Sequence, residues 1–183
     1  AVAAFLSQDA LNLEEALLIT LYRDPASIPA AIKALREDAG DGVTTLVLER
    51  SVTEPMAEKA LAAALPALTP MGEDATSERV RDQYETHPYP RWRSVDGQIR
   101  RKPLDAHLRE RFSAIRFDSI NTGHPRLLVA GCGTGRHAIQ TAARYEGVEV
   151  TAIDLSRRSL GYAARMAEEL GRTNIRFAQA DIL

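Results

Sequence analysis

The sequence predicts an α/β fold: an open parallel sheet of three strands, preceded by a small helical module. Three observations carry this. Apolar, β-branched runs at residues 127–130, 148–153 and 174–180 alternate with two amphipathic stretches, 136–145 and 157–170. The first run ends in Gly131-Cys132-Gly133-Thr134-Gly135, and the next two end in Asp154 and Asp181. Strand, helix, strand, helix, strand at this spacing makes parallel βαβ units.

The front of the chain reads as short helices. Asn12 with Glu15 forms a capping box, and Leu13, Ala16, Leu17, Thr20 and Leu21 make one apolar stripe behind it. Asp24-Pro25 ends that helix. Ser27 caps a second, with Ile28, Ile32 and Leu35 on its inner face. Gly40-Asp41-Gly42 is a break, and Val43 to Leu48 is open between strand and helix. Thr53 caps a further helix with Pro55 in its first turn and Met56, Ala60, Leu61, Ala64 and Leu65 as the expected buried side. Pro66, Pro70 and Gly72 mark a linker, which places a boundary near residue 72 and gives a helical module over 1–72.

Residues 73–125 form a connecting region. A short helix over 77–85 leads into Thr86-His87-Pro88-Tyr89-Pro90-Arg91-Trp92, whose alternate prolines forbid helix and favour an extended path. Another helix runs from Pro103 or Leu104 to Phe112. From Arg126 the α/β pattern takes over, its first strand reading as buried on both faces. Ser156 caps the second helix of this part and Gly171 stops it.

With 45% apolar and 26% charged residues, the composition is that of an ordinary globular chain. The net charge of -2 recruits no partner in bulk, although an acidic front up to Ala75 gives way to a mildly basic middle. No apolar run spans a bilayer and no basic leader precedes one, so no membrane is implied and a cytoplasmic location is expected. The single cysteine, Cys132, cannot form an intramolecular disulfide and reads as a small turn residue. His87, His107, His124 and His137 lack metal-ligand spacing, so no metal is expected and surface positions are. Arg91, Arg93, Arg100, Arg101 and Lys102 around Trp92 read as a solvated basic stretch rather than an RNA site, since no recognition motif accompanies them. Tyr84, Tyr89 and Trp92 read as core or interface aromatics.

The candidate site follows from the strand ends, beyond which ligands bind in such sheets. The glycine turn lets a ligand approach where a Cβ would clash, and the helix after it offers unpaired N–H groups. Asp154 can accept both hydroxyls of a ribose, and Asp181 an exocyclic adenine amine; Leu155 and Ile182 flank them. Each has a duller explanation: a purely structural turn for the glycines, a helix cap for Asp154, a solvated chain end for Asp181. Convergence of all three on one adenosine favours the binding reading. A dinucleotide turn needs G-x-G-x-x-G, and the position of its last glycine is Arg136 here.

Leu127 to Gly135, then Asp154, then Ala178-Gln179-Ala180-Asp181 resemble the first three cofactor motifs of class I S-adenosylmethionine-dependent methyltransferases. The resemblance covers about 126–183. Gln83-Tyr84-Glu85-Thr86-His87-Pro88-Tyr89-Pro90-Arg91-Trp92 is similar to a segment ahead of the methyltransferase domain in some large bacterial proteins with tetratricopeptide repeats, although no such repeat is visible here. The resemblance implies a Rossmann-like sheet, S-adenosyl-L-methionine as cofactor, and cofactor contacts from Gly131, Cys132, Gly133, Thr134, Gly135, Asp154, Leu155, Asp181 and Ile182. The family's usual acid two residues before the first glycine is Val129 here. The full fold orders its strands 3-2-1-4-5-7-6, so this chain is expected to supply the 3-2-1 part, without the acceptor side, and to transfer no methyl group by itself. The catalytic residues and the acceptor are not identified, although a protein or small molecule fits better than nucleic acid. The open edge of the first strand suggests a homo-oligomer. The alternatives are a non-catalytic nucleotide-binding or assembly module and an NAD(P)-binding oxidoreductase domain.

Overall fold

The computed structural model describes residues 11–21, 23, 27–37, 40, 42–69, 85, 90–95, 100–112 and 124–182. Several expectations lie outside them: the Asp24-Pro25 stop, Asp41, Pro70 and Gly72 of the linker, almost all of the 77–85 helix, and Thr86 to Tyr89. The chain divides into two units, Ala1–Ala57 and Glu58–Leu183.

In the first unit, α1 (Leu13–Thr20) opens on the expected capping box. Asn12 Oδ1 accepts from the Glu15 N–H at 2.9 Å, and Glu15 Oε2 accepts from the Asn12 N–H at 3.0 Å. Ala16 and Ile19 are the buried positions, with Leu13 and Leu17 packed beside them. Leu21, expected in that stripe, is 71% exposed because the helix has already ended and Ile19 takes the inward place. Helix α2 (Pro29–Glu37) turns Ala31, Ala34 and Leu35 into the same cluster, with Ile28 at its border. The ambiguous 43–48 stretch is helical, α3 (Gly42–Leu48), and its Val47 and Leu48 reach the cluster. A π turn, Glu49–Thr53, follows without a break, the Glu54 N–H donating to the Glu49 carbonyl. Pro55 explains it. Proline has no N–H to give and its ring crowds the carbonyl four residues back, so the helix widens just before it. Thr53 is therefore inside a helical run and does not cap one.

Helix α4 (Glu54–Ala64) departs most from its sequence reading. Met56 is 54% exposed, and Ala60 and Ala64 are exposed too, while Glu58 is buried and Leu61, Ala62 and Leu65 are partly so. The inward stripe is thus 58, 61, 62 and 65, a rotation chosen by the partner helix and by a buried ion pair. The second unit begins at Glu58, and its first residues pack on the sheet: Arg157 bonds the Ala62 and Leu65 carbonyls, and Pro66 to Leu68 pair with Gln179.

The second unit contains α5 (Leu104–Arg111), β1 (Arg126–Ala130), α6 (Arg136–Arg144), β2 (Glu149–Asp154), α7 (Arg157–Glu169) and β3 (Ile175–Gln179). All three strands are parallel in the order 3-2-1, with Ala130 beside Ile153 and Asp154 beside Gln179 at their carboxyl ends. This is the expected α/β, Rossmann-like partial sheet. Helix α6 presents Ala138, Ile139, Ala142 and Ala143 to the core. Helix α7 is buried nearly all round, from Ser159 to Gly161, Tyr162, Ala163 and Arg165 to Ala167. It lies against β2 and β3 on one side and meets α4 on another. A Cβ at Gly161 would stand 2.3 Å from the Glu58 carbonyl oxygen, so the two helices approach to backbone contact there. The free edge of β3 is covered by Pro66 to Leu68: the Gln179 N–H donates to Pro66 O and the Leu68 N–H to Gln179 O, both at 2.9 Å. Strand β1 is not buried on both faces, as its apolar run suggested. It pairs with β2 alone among the described residues, and Leu128 is 64% exposed. No described helix is long and apolar enough to cross a membrane.

Candidate functional site

The sheet brings Gly131–Gly135, Asp154–Leu155 and Asp181–Ile182 to one end, just past the last residues of β1, β2 and β3. Gly131, Gly133 and Gly135 all hold positive φ, at 66°, 53° and 80°, a backbone region other L-residues avoid. Their surroundings differ. A Cβ on Gly133 would meet none of the described residues within 4 Å, so among them that side of the turn is open. A Cβ on Gly135 would lie 2.5 Å from Ala163 Cβ, so this glycine lets α6 and α7 close up. Beside Gly131 stands the Ile182 side chain, 3.9 Å from a Cβ there, which links the turn after β1 to the segment after β3.

Asp154 ties the site together. Its Oδ2 accepts from the Gly133 N–H at 2.7 Å and its Oδ1 from the Ser156 N–H at 3.0 Å. Backbone bonds complete the frame: Cys132 N–H to Ile153 O at 3.0 Å, Gly135 N–H to Cys132 O at 2.9 Å, and Ala180 N–H to Asp154 O at 3.0 Å. Ser156, buried, caps α7 by accepting from the Ser159 N–H, as expected. The helix-cap explanation of Asp154 is therefore half met: it orders the chain into α7, but it also reaches the glycine turn. Asp181 is half-buried, and its N–H donates to Thr69 Oγ1 at 2.8 Å.

Burial pushes the Cys132 thiol up to about 12, and the neighbouring Asp154 charge adds to the effect. A thiol so held stays protonated at neutral pH and is no nucleophile. Thr134 is buried, its hydroxyl donating to Pro90 O. No group of three or more metal-ligating side chains exists among the described residues. Of the histidines, His124 and His137 are exposed as expected. His107 is not: it lies half-buried against the Tyr145 ring at 5.4 Å, and burial and then Lys102 lower its pKa.

Sequence reading missed a second layer behind the turn. Arg91 is exposed, as read, but also paired: its guanidinium donates twice to Glu58, at 3.1 and 2.8 Å, and Glu58 also accepts from Arg165 Nε at 3.0 Å. Lys102 likewise pairs with Glu110 at 2.9 Å. Trp92 is in the core, as read. Arg157 donates to Gln179 Oε1 and to the Ala62 and Leu65 carbonyls, and Gln179 in turn donates to Leu155 O at 2.8 Å. A glycine inside a helix, Gly161, was the available signal for the close approach of α4.

Residues 127–183 match the methyltransferase domain family. Over 78 residues the chain is 41% identical to the release factor glutamine methyltransferase of Chlorobaculum tepidum, covering 42% of this chain and 26% of that protein. The Bacillus subtilis enzyme of the same name is 32% identical over 77 residues, 42% of this chain and 25% of that one. The matched stretch thus spans about a quarter of the length of these relatives. Among solved structures, geranyl diphosphate C-methyltransferase from Streptomyces coelicolor, a complex with S-adenosyl-L-homocysteine, is 19% identical with a TM-score of 0.39, over 60% of this chain and 48% of that one. The segment from β1 onward matches the methyltransferase domain family in sequence and is an α/β sheet in its fold.

Proposed function

We propose that the strand ends of this domain bind S-adenosylmethionine, and that the protein to which they belong transfers its methyl group to a nucleophilic acceptor. The observation that carries the reading is the pairing of Asp154 with an open Gly133. A carboxylate has about four acceptor sites. Two of them take the Gly133 and Ser156 N–H groups, which leaves capacity for the two hydroxyls of a ribose. The empty side of Gly133 gives the ligand room to lie against backbone. Asp181 would take the adenine amine, with Leu155 and Ile182 as apolar neighbours. When bound, S-adenosylmethionine would supply an activated methyl on a sulfonium, open to displacement by the acceptor's lone pair with the electron pair of the broken carbon–sulfur bond left on sulfur. What the residues here contribute is binding and orientation, which is most of what such a displacement asks of a protein. Thr134 and Gly135 serve the reading indirectly, through the packing of the turn.

The turn does not favour a dinucleotide. Arg136 replaces the glycine that pattern requires, and the close helix packing is supplied one residue earlier, by Gly135. A protein or small-molecule acceptor and a cytoplasmic setting complete the proposal. So does self-association along the β1 edge, where Leu128 lies exposed; light scattering showing a stable monomer would remove that part. Calorimetry with S-adenosylmethionine, S-adenosylhomocysteine and NAD tests the main reading. Binding of the first two and not the third is expected; preference for NAD would overturn it.

A further inference from the structure

The glycine turn is gripped from behind. Thr134, fourth of its five residues, gives its hydroxyl and its carbonyl to a segment some forty residues earlier in the chain: the hydroxyl donates to Pro90 O at 2.7 Å, and the carbonyl accepts from Trp92 Nε1 at 2.8 Å. The two bonds run in opposite directions, so they set the orientation of the turn as well as its distance. Trp92 is itself fixed. Its carbonyl accepts from the Tyr162 hydroxyl, and its ring meets the Tyr162 ring edge-on, centroids 6.0 Å apart at 75°. Arg91, next in the chain, holds buried Glu58 on α4 with two hydrogen bonds and stands 4.6 Å from the Tyr162 ring centroid. Arg165 closes the group, bonded to Glu58 and 5.3 Å from the same ring.

We propose that Pro90–Trp92 is a positioning element of the cofactor site and that Trp92 is its positioning residue. A turn with three glycines at positive φ has more conformations to lose than an ordinary loop, so a ligand that needs it ordered is bound more weakly unless something else orders it first. Asp154 orders it from the ligand side; Trp92 and Pro90 order it from the protein side. The segment ahead of the sheet is by this argument part of the binding site although it touches no ligand. The inference rests on the cofactor reading above for its effect on affinity, but not for its effect on the turn. Trp92 is also the only tryptophan in the chain, so its emission reports on the turn without a label.

The test uses the 183-residue chain as wild type, Trp92→Phe and Thr134→Val. Trp92→Phe keeps a ring and removes the N–H; Thr134→Val keeps the carbonyl and removes the hydroxyl. Hydrogen–deuterium exchange of the 131–135 amides, without ligand, reads the turn directly. Faster exchange there than in wild type is expected in both variants, with the exchange of β2 unchanged. S-adenosylhomocysteine affinity should fall about three- to tenfold in each, the scale of one hydrogen bond. In wild type, Trp92 emission should shift on titration and saturate with the calorimetric curve. Wild-type exchange at the turn in both variants would overturn the proposal, as would saturated binding that leaves Trp92 emission unmoved. No heat with S-adenosylhomocysteine in wild type would sink the cofactor reading alone, since the exchange measurement still decides whether the segment holds the turn. Should Trp92→Phe fail to fold, Thr134→Val carries the decision.

Discussion

Asp154→Ala removes a side chain that joins the glycine turn to the end of β2. In the free protein the loss is two charge-assisted hydrogen bonds, to the Gly133 N–H at 2.7 Å and the Ser156 N–H at 3.0 Å. Such bonds are worth about 1.5–3 kcal/mol each when buried, less at this half-exposed position. For the ligand, two ribose acceptors go, and the expected loss is about 2–4 kcal/mol of binding, or roughly thirtyfold to a thousandfold in Kd. Asp154→Glu should lose somewhat less, since it keeps the acceptors but misplaces them by a methylene. Asp154→Asn keeps one oxygen and turns an NH2 toward a backbone donor. Titration calorimetry with S-adenosylhomocysteine measures the affinities, and circular dichroism checks that the variants fold. A deoxyribose analogue separates direct contact from repair of the turn. If Asp154 grips the hydroxyls, the analogue binds wild type weakly but loses nothing further in Asp154→Ala. Unchanged S-adenosylhomocysteine affinity in Asp154→Ala would refute the assignment.

Three further outcomes follow from the same geometry. Gly133→Val should keep the secondary structure, because the space around a Cβ there is open, yet lose cofactor binding, because the side chain fills that space and resists a φ of 53°; tight binding by the folded variant would contradict the placement of the turn. Gly161→Ala should destabilise by about 1–3 kcal/mol, its Cβ falling 2.3 Å from Glu58 O, and lower the Tm by a few degrees or more; an unmoved midpoint in scanning calorimetry would show that α4 does not sit so close. Cys132, with its thiol pushed from 9.0 up to about 12, should react with iodoacetamide at pH 8 roughly a thousandfold more slowly than the same thiol in urea. The sign for stability is fixed by the same shift: the folded state holds its proton more tightly, so the contribution is full below pH 9 and is lost as pH rises toward 12. Comparable alkylation in both states would show that the thiol is open to solvent.

What the sequence disclosed was what local chemistry decides. The three strands, the glycine turn and the Ser156 cap are written in periodicity and turn residues within ten or so positions of each other, and the structure has them where that chemistry puts them. The strand-end acids were legible for the same reason, since a parallel sheet fixes where its carboxyl ends lie. Helix α4 was misread because its alanines and leucines offer apolar residues on several faces. Which face turned inward was decided by Arg91 and Arg165, distant in sequence, which make burial of Glu58 tolerable by giving it three donors. The exposure of Leu128 accords with the open edge expected for the first strand, although its apolar run alone, read as buried on both faces, says only that a strand is fit to be covered, not what covers it.

The three glycines of the turn show why a motif of five residues can carry both a fold and a site. Gly135 is needed whatever binds, since any side chain there drives α6 off Ala163. Gly133 differs: apart from its positive φ, no described heavy atom lies where its side chain would be, and its N–H is already satisfied by Asp154. A purely structural turn would tolerate asparagine or aspartate at Gly133, since both enter the left-handed region at modest cost. The structural and functional readings of the motif therefore separate by position. They meet again in Asp154, whose carboxylate accepts two backbone bonds at the turn and keeps acceptor capacity beside the space at Gly133. A carboxylate serving only as a cap would gain nothing from that space, and a glycine serving only as a turn would not need to leave it.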